Sequence, residues 1–314
     1  MISTQELTRR QQMPLDEKIK MTLERIIEWY DAWDGNVYVA FSGGKDSKVL
    51  LKLVRSIYPD VPAVFNNTGL EFPEIVEFVK SHENVKHLRP AKPFYRIIKE
   101  HGYPVISKVV AHRLFFLQNP TPNNAVTRNL ILTGIKKDGT KSTSKSAVLP
   151  KKWHYLIDAP FKIHDICCDI LKKAPARKYG KETGRVPFVG TMADDSDARM
   201  VNYRKRGCNY FGNDKAVSTP LAFWTEKDIW DYIKKYDVSY CKIYDMGYER
   251  TGCMFCMFGV HLEHKQRGTN RFIKMKHTHP KQYKFCMEKL RVGEIMDYIG
   301  VPLIEEKQLE IEFN

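Results

Sequence analysis

One segment near the N-terminus constrains the fold more than any other part of the sequence. The run VYVAF at residues 37–41 is almost wholly apolar, the loop SGGKDS follows at 42–47, and KVLLKLV begins at residue 48. A short, wholly apolar run is typical of a strand buried in a parallel sheet, and the run after the loop has helical character. A glycine-rich turn between such a strand and a helix N-terminus is suited to bind phosphate, because its backbone N–H groups point at the anion.

A lead-in helix precedes this segment. Pro14 and Asp16 open residues 14–33, and the apolar residues there stand near helical spacing: Ile19, Leu23, Ile26, Ile27 and Trp29. The pattern predicts an amphipathic helix.

Strand and helix patterns alternate after the loop. We predict strands at 62–65, 85–88 and 186–189, and helices at 48–57, 73–80, around 165–173 and after Thr225. This alternation is typical of an α/β fold. We therefore expect a doubly wound parallel sheet of about five strands, with an N-terminal helix and a Cys-rich, mostly helical or irregular C-terminal region.

Composition along the chain suggests three regions. They are a helical lead-in at 1–35, a nucleotide-binding α/β domain at 36–235 and a Cys-rich region at 236–314. Within the second region, residues 136–152 contain six lysines with Ser, Thr and Gly, and we interpret them as a mobile basic loop. Such a loop can be a solvated linker or a contact for nucleic acid or phosphate.

The charge of the chain favours anionic partners. Lys and Arg number 51 against 37 Asp and Glu, so the formal net charge is +14. Nucleic acid, nucleotides and acidic lipid all carry the complementary charge. No apolar run is long enough to span a bilayer, and the first residues, MISTQELTRRQQ, lack the apolar core of a secretory signal. We expect a cytoplasmic protein without a membrane partner.

The loop at 42–47 lacks the spacing of the Walker A and G-x-G-x-x-G motifs. It resembles SGGxDS, the pyrophosphate loop of the adenine nucleotide α-hydrolase superfamily, which is also called the PP-loop ATP pyrophosphatases. Residues 67–74 are similar to the D-T-G-x-x-F-P-E motif of the phosphoadenosine phosphosulfate (PAPS) reductase family, with Asn67 at the Asp position. Residues 190–199 are similar to its Gly-x-x-Ala-x-Glu-Ser-x-x-Arg motif, with Asp195 at the Glu position.

The resemblance implies a site for ATP with Mg²⁺. It places the pyrophosphate on Ser42, Gly43, Gly44, Lys45, Asp46 and Ser47, and the rest of the nucleotide beside Thr68, Gly69, Gly190 and Asp195. Glu71 would help to hold magnesium, although it could equally begin the next helix as a carboxylate stabilised by the helix dipole. Arg199 would bind a phosphate or sulfate oxygen, although it could form a surface ion pair. The residues that act in catalysis would be Lys45, Asp46, Ser47 and Arg199.

Two cysteine pairs predict a metal centre. The seven cysteines are odd in number and begin only at Cys167, which favours metal binding over disulfides. The pairs Cys167-Cys168 and Cys253-x-x-Cys256 suit an iron–sulfur cluster or a zinc ion. Adjacent side chains on a helix diverge by about 100°, which is awkward for one tetrahedral ion. The spacing also resembles the set that holds a 4Fe-4S cluster in assimilatory adenylylsulfate reductases. We expect such a cluster, with zinc or metal-free thiols as alternatives.

Other cysteines leave the ligand set open. Cys286 or Cys208 could replace one member of the adjacent pair. Taken singly, each is also compatible with a small buried apolar residue.

Two departures from the sulfonucleotide reductases bear on activity. Those reductases have a degenerate pyrophosphate loop and a Glu-Cys-Gly-x-His motif near the C-terminus, whereas this chain has the complete loop and ends VPLIEEKQLEIEFN. It is closest in character to the iron–sulfur sulfurtransferase of DNA phosphorothioation. The resemblance implies an ATP pyrophosphatase that adenylates an acceptor and supports iron–sulfur-dependent sulfur transfer onto DNA or RNA, with a sulfur-donor protein such as a cysteine desulfurase. The alternatives are a sulfonucleotide reductase and a non-catalytic, nucleotide-gated nucleic-acid-binding subunit.

A basic stripe near the second cysteine pair fits a nucleic-acid partner. Aromatic residues interleave its basic ones: Arg267, Arg271, Lys274, Lys276, Lys281 and Lys284 with Phe272, Tyr283 and Phe285. The same pattern is compatible with a solvated helix face whose aromatic side chains point inward.

Overall fold

One sheet of six strands organises the part of the chain that the structure, a computed structural model, describes: residues 1–212 and 215–304. The strands are β1 (Val37–Ala40), β2 (Ala63–Asn66), β3 (Val85–Leu88), β4 (Val186–Val189), β5 (Asn209–Tyr210) and β6 (Val217–Ser218). They lie in the order β3-β2-β1-β4-β6-β5, and every neighbouring pair is parallel except β5 with β6. The predicted α/β fold is confirmed. The sheet has one strand more than expected, because β5 and β6 have two residues each and are too short to show a pattern.

Helices account for most of the remaining described residues. They are α1 (Thr4–Gln12), α2 (Leu15–Ala32), α3 (Lys45–Ile57), α4 (Pro73–Lys80), α5 (Phe94–His101), α6 (Lys108–Gln118), α7 (Ala125–Thr133), α8 (Ala174–Thr183), α9 (Asp197–Arg206), α10 (Glu226–Lys235), α11 (Val260–Arg267), α12 (Arg271–Thr278), α13 (Pro280–Lys284) and α14 (Val292–Tyr298). Short 3-10 segments include Lys151–Asp158, and π-helical turns lie at Asp169–Lys173 and Phe285–Lys289. None of the helices described is long and apolar enough to cross a membrane.

Two compact units divide the chain. The first consists of Met1–Pro90 with Lys172–Gly252 and contains the whole sheet, and the second consists of Ala91–Leu171 with Cys253–Asn314. These units follow contacts between residues distant in sequence, whereas the three regions 1–35, 36–235 and 236–314 follow composition. The three-region division stays a prediction.

The core of the first unit packs α3 against β1 and β4, and α2 against β6. Its largest buried side chains include Trp29, Phe41, Phe188 and Trp224. The indole N–H of Trp224 donates a hydrogen bond to the Thr22 hydroxyl at 2.9 Å. This bond satisfies a polar group that would otherwise be buried without a partner.

The lead-in helix forms as α2, but its buried face differs from the apolar stripe in the sequence. The buried residues are Lys18, Thr22, Ile26 and Trp29, whereas Ile27 is exposed. Lys18 is only 1% exposed because its amine lies 2.6 Å from the Asp228 carboxylate. Pairing with a distant charge therefore brings a lysine into the core.

The second unit is held together by long-range contacts within its first chain segment and between its two segments. Isolated bridges join Tyr103 to Ile163 and Ile106 to Phe258. The Gln118 amide donates to the carbonyls of Leu156 and Phe161. Residues 136–152, expected to be a mobile loop, contain 3-10 turns, and the strand bridge from Ile135 to Lys141 adjoins them. Their mobility stays a prediction.

Candidate functional site

The loop at residues 42–47 joins β1 to α3, and its two serines hold it closed. The Ser47 hydroxyl accepts a hydrogen bond from the Ser42 backbone N–H at 3.1 Å and donates one to the Gly44 carbonyl at 2.9 Å. The Ser42 hydroxyl lies 3.1 Å from that of Ser47. Lys45, Asp46 and Ser47 form the first turn of α3, so the helix begins inside the motif. The N-terminal amides and positive dipole end of α3 are thus placed at the carboxyl end of β1.

Two glycines are required by close packing around the loop. Gly43 has φ +76°, and a Cβ there would lie 2.9 Å from methyl groups of Ile75 and Val79 on α4. Gly190 follows β4, and a Cβ there would lie 3.1 Å from the Asp46 carbonyl oxygen. The end of β4 therefore touches the start of α3, and the first and third sequence motifs meet at one edge of the sheet.

The Lys45 amine is buried at this loop and surrounded by charged and aromatic groups. Its Nζ atom lies 3.3 Å from Asp46 and 3.1 Å from Glu226 of α10, and the Trp230 ring centroid is 5.9 Å away. Burial lowers the pKa of Lys45, but the charges of Asp46, Tyr244 and Glu226 outweigh burial and raise the pKa overall. Lys45 therefore keeps its positive charge beside the proposed phosphate site.

A segment before the second cysteine pair covers the loop. The Tyr244 hydroxyl accepts a hydrogen bond from the Lys45 backbone N–H at 2.9 Å. It also hydrogen-bonds with Thr251, whose hydroxyl would collide with a Cβ on Gly44. The Tyr244 hydroxyl is thus bonded to the Lys45 amide, one of the N–H groups that would donate to a bound phosphate.

Asp46 is a half-buried carboxylate that interacts with the carboxylate of Asp195. Burial raises the pKa of Asp46, the positive charge of Lys45 opposes this effect, and the negative charge of Asp195 adds to it. The Asp46 Oδ1 atom is itself buried, and the Lys45 amine lies 3.3 Å from it. Because oxygen ligands from one or two carboxylates suit Mg²⁺ together with phosphate, Asp46 and Asp195 fit a magnesium site.

The second motif closes its own turn at the end of β2. The Glu71 carboxylate accepts hydrogen bonds from the Thr68 backbone N–H at 2.9 Å and the Thr68 hydroxyl at 2.8 Å. Gly69 has φ +78° and open space around it. α4 begins at Pro73 and has Phe72 as its N-cap, so Glu71 precedes the helix. Its contact with magnesium stays a prediction, since its oxygens already bind Thr68.

The third motif forms an ion pair that also borders a cavity. Arg199 on α9 pairs with Asp195, which also accepts a hydrogen bond from the Met192 backbone N–H at 2.9 Å. The side chain of Arg199 is 47% exposed and remains accessible to an oxyanion. A cavity of about 140 Å³ lies beside it, with Asn202, Arg206 and Cys208 among its lining residues. An arginine that is already paired can exchange a carboxylate for a phosphate oxygen.

Several residues around Lys45 carry no signal in the local sequence. Glu226, Trp230, Tyr244 and Thr251 are brought to the loop by α10 and by the segment after it. The start signal at Thr225 predicted α10 correctly, and it is the only local pattern that points toward any of them. Their contacts with Lys45 and Gly44 are long-range.

The two cysteine pairs interact within the second unit. The pKa of Cys167 is raised, first by its hydrogen bond with Cys168, then by burial, and then by the charges of Cys168, Cys256 and Cys253. Cys167 and Cys168 lie immediately before the π-helical turn. No group of three His, Cys, Asp or Glu side chains within residues 1–212 and 215–304 is arranged around a single metal ion. Four thiols in two pairs can serve as ligands of an iron–sulfur cluster or of a zinc ion, and the choice between them stays a prediction.

The remaining candidate thiols have different surroundings. Cys286 is fully buried, and burial alone raises its pKa. Cys208 belongs to the first unit, and burial raises its pKa to about 12. Neither is among the groups that raise the pKa of Cys167 most. Which of these cysteines bind the metal stays a prediction.

The basic stripe after the second pair is partly buried. Phe272 is fully buried, and Arg271 donates to the Glu263 carboxylate at 3.0 Å and to the Cys256 carbonyl at 3.2 Å. Phe285 is 49% exposed. Phe272 points inward, as the alternative of a solvated helix face with inward aromatic side chains expects, and Arg271 is half-buried in its ion pair with Glu263. Contact of the stripe with nucleic acid stays a prediction.

The sequence matches the model of the phosphoadenosine phosphosulfate reductase domain over residues 36–152 and 123–258, together more than half of the chain. The chain belongs to this family. As a PAPS reductase family protein, it has relatives of known and unknown activity. An uncharacterized protein of Methanocaldococcus jannaschii is 23% identical over 280 residues, and the chain spans 52%, about half, of the length of that relative.

An adenosine 5'-phosphosulfate reductase of Anoxybacillus flavithermus is 26% identical over 270 residues, which are 84% of this chain and 91% of that enzyme. Among solved structures, the U34-tRNA thiolase NcsA of Methanococcus maripaludis, which holds a 4Fe-4S cluster, is similar with a TM-score of 0.41. It is 16% identical, and the match covers 88% of this chain and 79% of that one.

Proposed function

We propose that this PAPS reductase family protein is an ATP pyrophosphatase that adenylates an acceptor and supports iron–sulfur-dependent sulfur transfer onto nucleic acid. The observation that carries the proposal is the complete loop at 42–47, with the charged Lys45 amine buried beside the N-terminus of α3. A β,γ-pyrophosphate carries several negative charges and needs such a site, whereas the substrate of a sulfonucleotide reductase has no β,γ-pyrophosphate.

The first step forms a bond between an acceptor oxygen and the α-phosphorus of ATP. The bond from that phosphorus to the α,β-bridging oxygen breaks, and pyrophosphate leaves with the bridging oxygen. The Lys45 amine and the amides at the start of α3 stabilise the charge that develops on the leaving group. Asp46 and Asp195 would hold the magnesium ion, and Arg199 would bind an oxygen of the α-phosphate.

The second step replaces the acceptor oxygen with sulfur. The terminal sulfur of a persulfide on a donor protein, such as a cysteine desulfurase, bonds to the activated atom, and AMP leaves with the acceptor oxygen. Two molecules of a thiol reductant then cleave the resulting S–S bond, which frees the thiolated acceptor and the donor cysteine and leaves the reductant as a disulfide. Cys167, Cys168, Cys253 and Cys256 would hold a 4Fe-4S cluster, which supplies iron that can bind sulfur. This chemistry resembles that of the sulfurtransferase of DNA phosphorothioation.

Calorimetry on anaerobically purified protein tests the nucleotide preference. The ligands are α,β-methylene-ATP with Mg²⁺, adenylylsulfate and PAPS. We expect the ATP analogue to bind most tightly, and Lys45→Ala to weaken it at least about tenfold, because a charge-assisted phosphate contact is lost. Lys52→Ala, on the exposed side of the same helix, is the matched control. Tighter binding of a sulfonucleotide, or an unchanged affinity in Lys45→Ala, would reject the proposal.

A second candidate function is a sulfonucleotide reductase. It is favoured by the adenosine 5'-phosphosulfate reductase that is 26% identical over most of its length. Its nucleophile would be a cysteine such as Cys286, which is fully buried. Sulfite release from adenylylsulfate that disappears in Cys286→Ser would support this candidate, and sulfite release that persists would remove Cys286 from it.

A further inference from the structure

A row of aromatic side chains lies on the second unit. It consists of Trp153, Tyr155, Phe161 and Tyr298, which we call the aromatic row. The Tyr155 and Tyr298 rings have centroids 5.9 Å apart and planes 34° apart, and Phe161 meets Tyr298 edge-on at 5.2 Å. Trp153 and Tyr155 are 6.4 Å apart. Rings from the 3-10 segment, from the residues after it and from the end of α14 thus form one continuous group.

The two tyrosines of the row remain open to solvent. Tyr155 is 43% exposed and Tyr298 is 39% exposed. The hydroxyls of Tyr155 and Tyr298 form no hydrogen bond with any other group in residues 1–212 and 215–304. Adjacent exposed rings are costly in water, and contiguous exposed apolar surface marks sites of interaction.

Lysines border the row on the same chain segment. Residues 136–162 contain seven lysines and two aspartates. Lys151 and Lys152 are exposed and immediately precede Trp153, and the Lys152 amine lies 5.1 Å from its ring centroid. Neither lysine forms an ion pair with any residue that the structure describes. The acids closest in sequence to the two tyrosines are Asp158 and Asp297.

We propose that the aromatic row and Lys151 and Lys152 bind a single strand of nucleic acid. Bases would stack on Tyr155 and Tyr298, while phosphates would contact the two lysines. Stacking on aromatic rings together with a basic path for the backbone is how proteins bind single strands without reading sequence. A duplex cannot use the tyrosines in this way, because its base faces are covered by neighbouring bases. The inference rests on the proposed function only in that the bound strand would present the acceptor.

Fluorescence anisotropy on the full chain tests this binding without nucleotide. The probes are fluorescein-labelled dT20, rU20 and a 20-base-pair DNA duplex, and the two single strands distinguish DNA from RNA. We expect the Tyr155→Ala/Tyr298→Ala variant to bind the preferred single strand at least about tenfold more weakly, with duplex binding unchanged. Tyr95→Ala is the matched control, because Tyr95 lies on α5 of the same unit and is 52% exposed.

Two further variants separate stacking from charge and from folding. Tyr155→Trp/Tyr298→Trp keeps aromatic faces and should keep single-strand affinity, whereas Tyr155→Leu/Tyr298→Leu keeps apolar volume and should lose it. Lys151→Ala/Lys152→Ala should weaken every probe and lower the salt dependence of binding. If the alanine variant does not fold, the leucine and tryptophan variants carry the comparison.

Several results would overturn the inference. They are equal single-strand affinity in the leucine and tryptophan variants, an equal loss in Tyr95→Ala, or a preference of the wild type for duplex. A row that covers a protein partner would give the first of these results. Lys45→Ala should bind the strand as the wild type does. Wild-type protein that binds the single strand but not α,β-methylene-ATP would reject the proposed function alone.

Discussion

The Tyr244 hydroxyl accepts a hydrogen bond from the backbone N–H of Lys45, the first residue of α3, at 2.9 Å. That amide belongs to the helix N-terminus at which the pyrophosphate is proposed to bind. A phosphate oxygen must therefore compete with a side chain of the same unit. The loop is pre-shaped for an anion, and one of its donors is satisfied internally until the ligand arrives.

Removing the Tyr244 hydroxyl, which competes with phosphate for the Lys45 amide, should tighten nucleotide binding. We expect Tyr244→Phe to lower the Kd for α,β-methylene-ATP about fivefold, because a net hydrogen bond of about 1 kcal/mol no longer opposes the phosphate. Calorimetry measures the change. Tyr240→Phe is the matched control, because the Tyr240 hydroxyl donates to the exposed Asp245 carboxylate instead of accepting from an amide of the loop. Weaker binding in Tyr244→Phe would mean that the hydroxyl contacts the nucleotide instead.

A side chain at Gly190 should destabilise the fold and disturb the loop at 42–47. A Cβ there would press on the backbone of Asp46 and Ser47 at 3.1–3.2 Å, and a backbone shift in the loop is required to relieve it. We expect Gly190→Ala to cost about 1–3 kcal/mol in the free energy of unfolding and to weaken ATP binding. Urea denaturation and calorimetry check both effects.

A helix glycine provides the control for this substitution. At Gly293 of α14 the nearest atom to a new Cβ is 3.6 Å away, so Gly293→Ala should be neutral or stabilising by up to about 1 kcal/mol. Equal destabilisation of the two variants would contradict the crowding argument.

Two ion pairs of equal length join α2 to α10 and should differ in strength. Lys18 pairs with Asp228 at 2.6 Å in the core, and Lys235 pairs with Asp16 at 2.6 Å on the surface. Lys18→Met should lower the free energy of unfolding by about 3 kcal/mol, because the substitution leaves the Asp228 carboxylate buried without its cation. Lys235→Met should change stability by less than about 1 kcal/mol. Urea denaturation measures the free energy of unfolding of both variants. A similar loss in Lys18→Met and Lys235→Met would contradict the conclusion that burial makes the first ion pair stronger.

Stability should fall as the pH drops below the ordinary pKa of histidine. Burial lowers the pKa of His82, and the nearby Lys48 ammonium, 2.6 Å from its ring nitrogen, adds to this effect. Near pH 6.5 His82 is protonated in the unfolded chain but stays neutral in the folded chain, so lowering the pH favours unfolding. Stability from this histidine is complete above pH 6.5 and is lost below it.

Thermal melting between pH 8 and pH 5 measures the effect. His82→Gln should flatten the fall in Tm, and substitution of the exposed His87 should not. His164 and His261, whose pKa values are also lowered by burial, should leave part of the slope in place. An unchanged slope in His82→Gln would contradict the assignment.

Iron binding should require both cysteine pairs. After anaerobic reconstitution we expect about four iron and four sulfide per chain, as in a 4Fe-4S cluster. Serine at Cys167, Cys168, Cys253 or Cys256 should reduce the iron content, because these thiols interact. Cys286→Ser should retain iron and serves as the control. One zinc ion per chain and no sulfide would instead support the zinc alternative.

Much of the nucleotide site could be predicted from local sequence. The apolar run at 37–41, the loop at 42–47 and the residues after it form β1, the loop and α3 as expected, and the ends of β2 and β4 carry the other two motifs. Gly190 meets Asp46 because both lie at the same edge of a parallel sheet. The strands, the loop and the helix start depend on residues near one another in the chain, and their periodicity is visible in the sequence. The contact between Gly190 and Asp46 follows from the order of parallel strands.

The tertiary structure alone decided which distant residues complete these elements. Tyr244 and Glu226 reach Lys45 across about 200 positions, Lys18 becomes buried because Asp228 of α10 accompanies it, and Tyr155 meets Tyr298 only when α14 packs. Phe272 turns inward and Arg271 becomes half-buried for the same reason. Local patterns specify strands, turns and helix starts, whereas burial and charge pairing depend on what packs against each face.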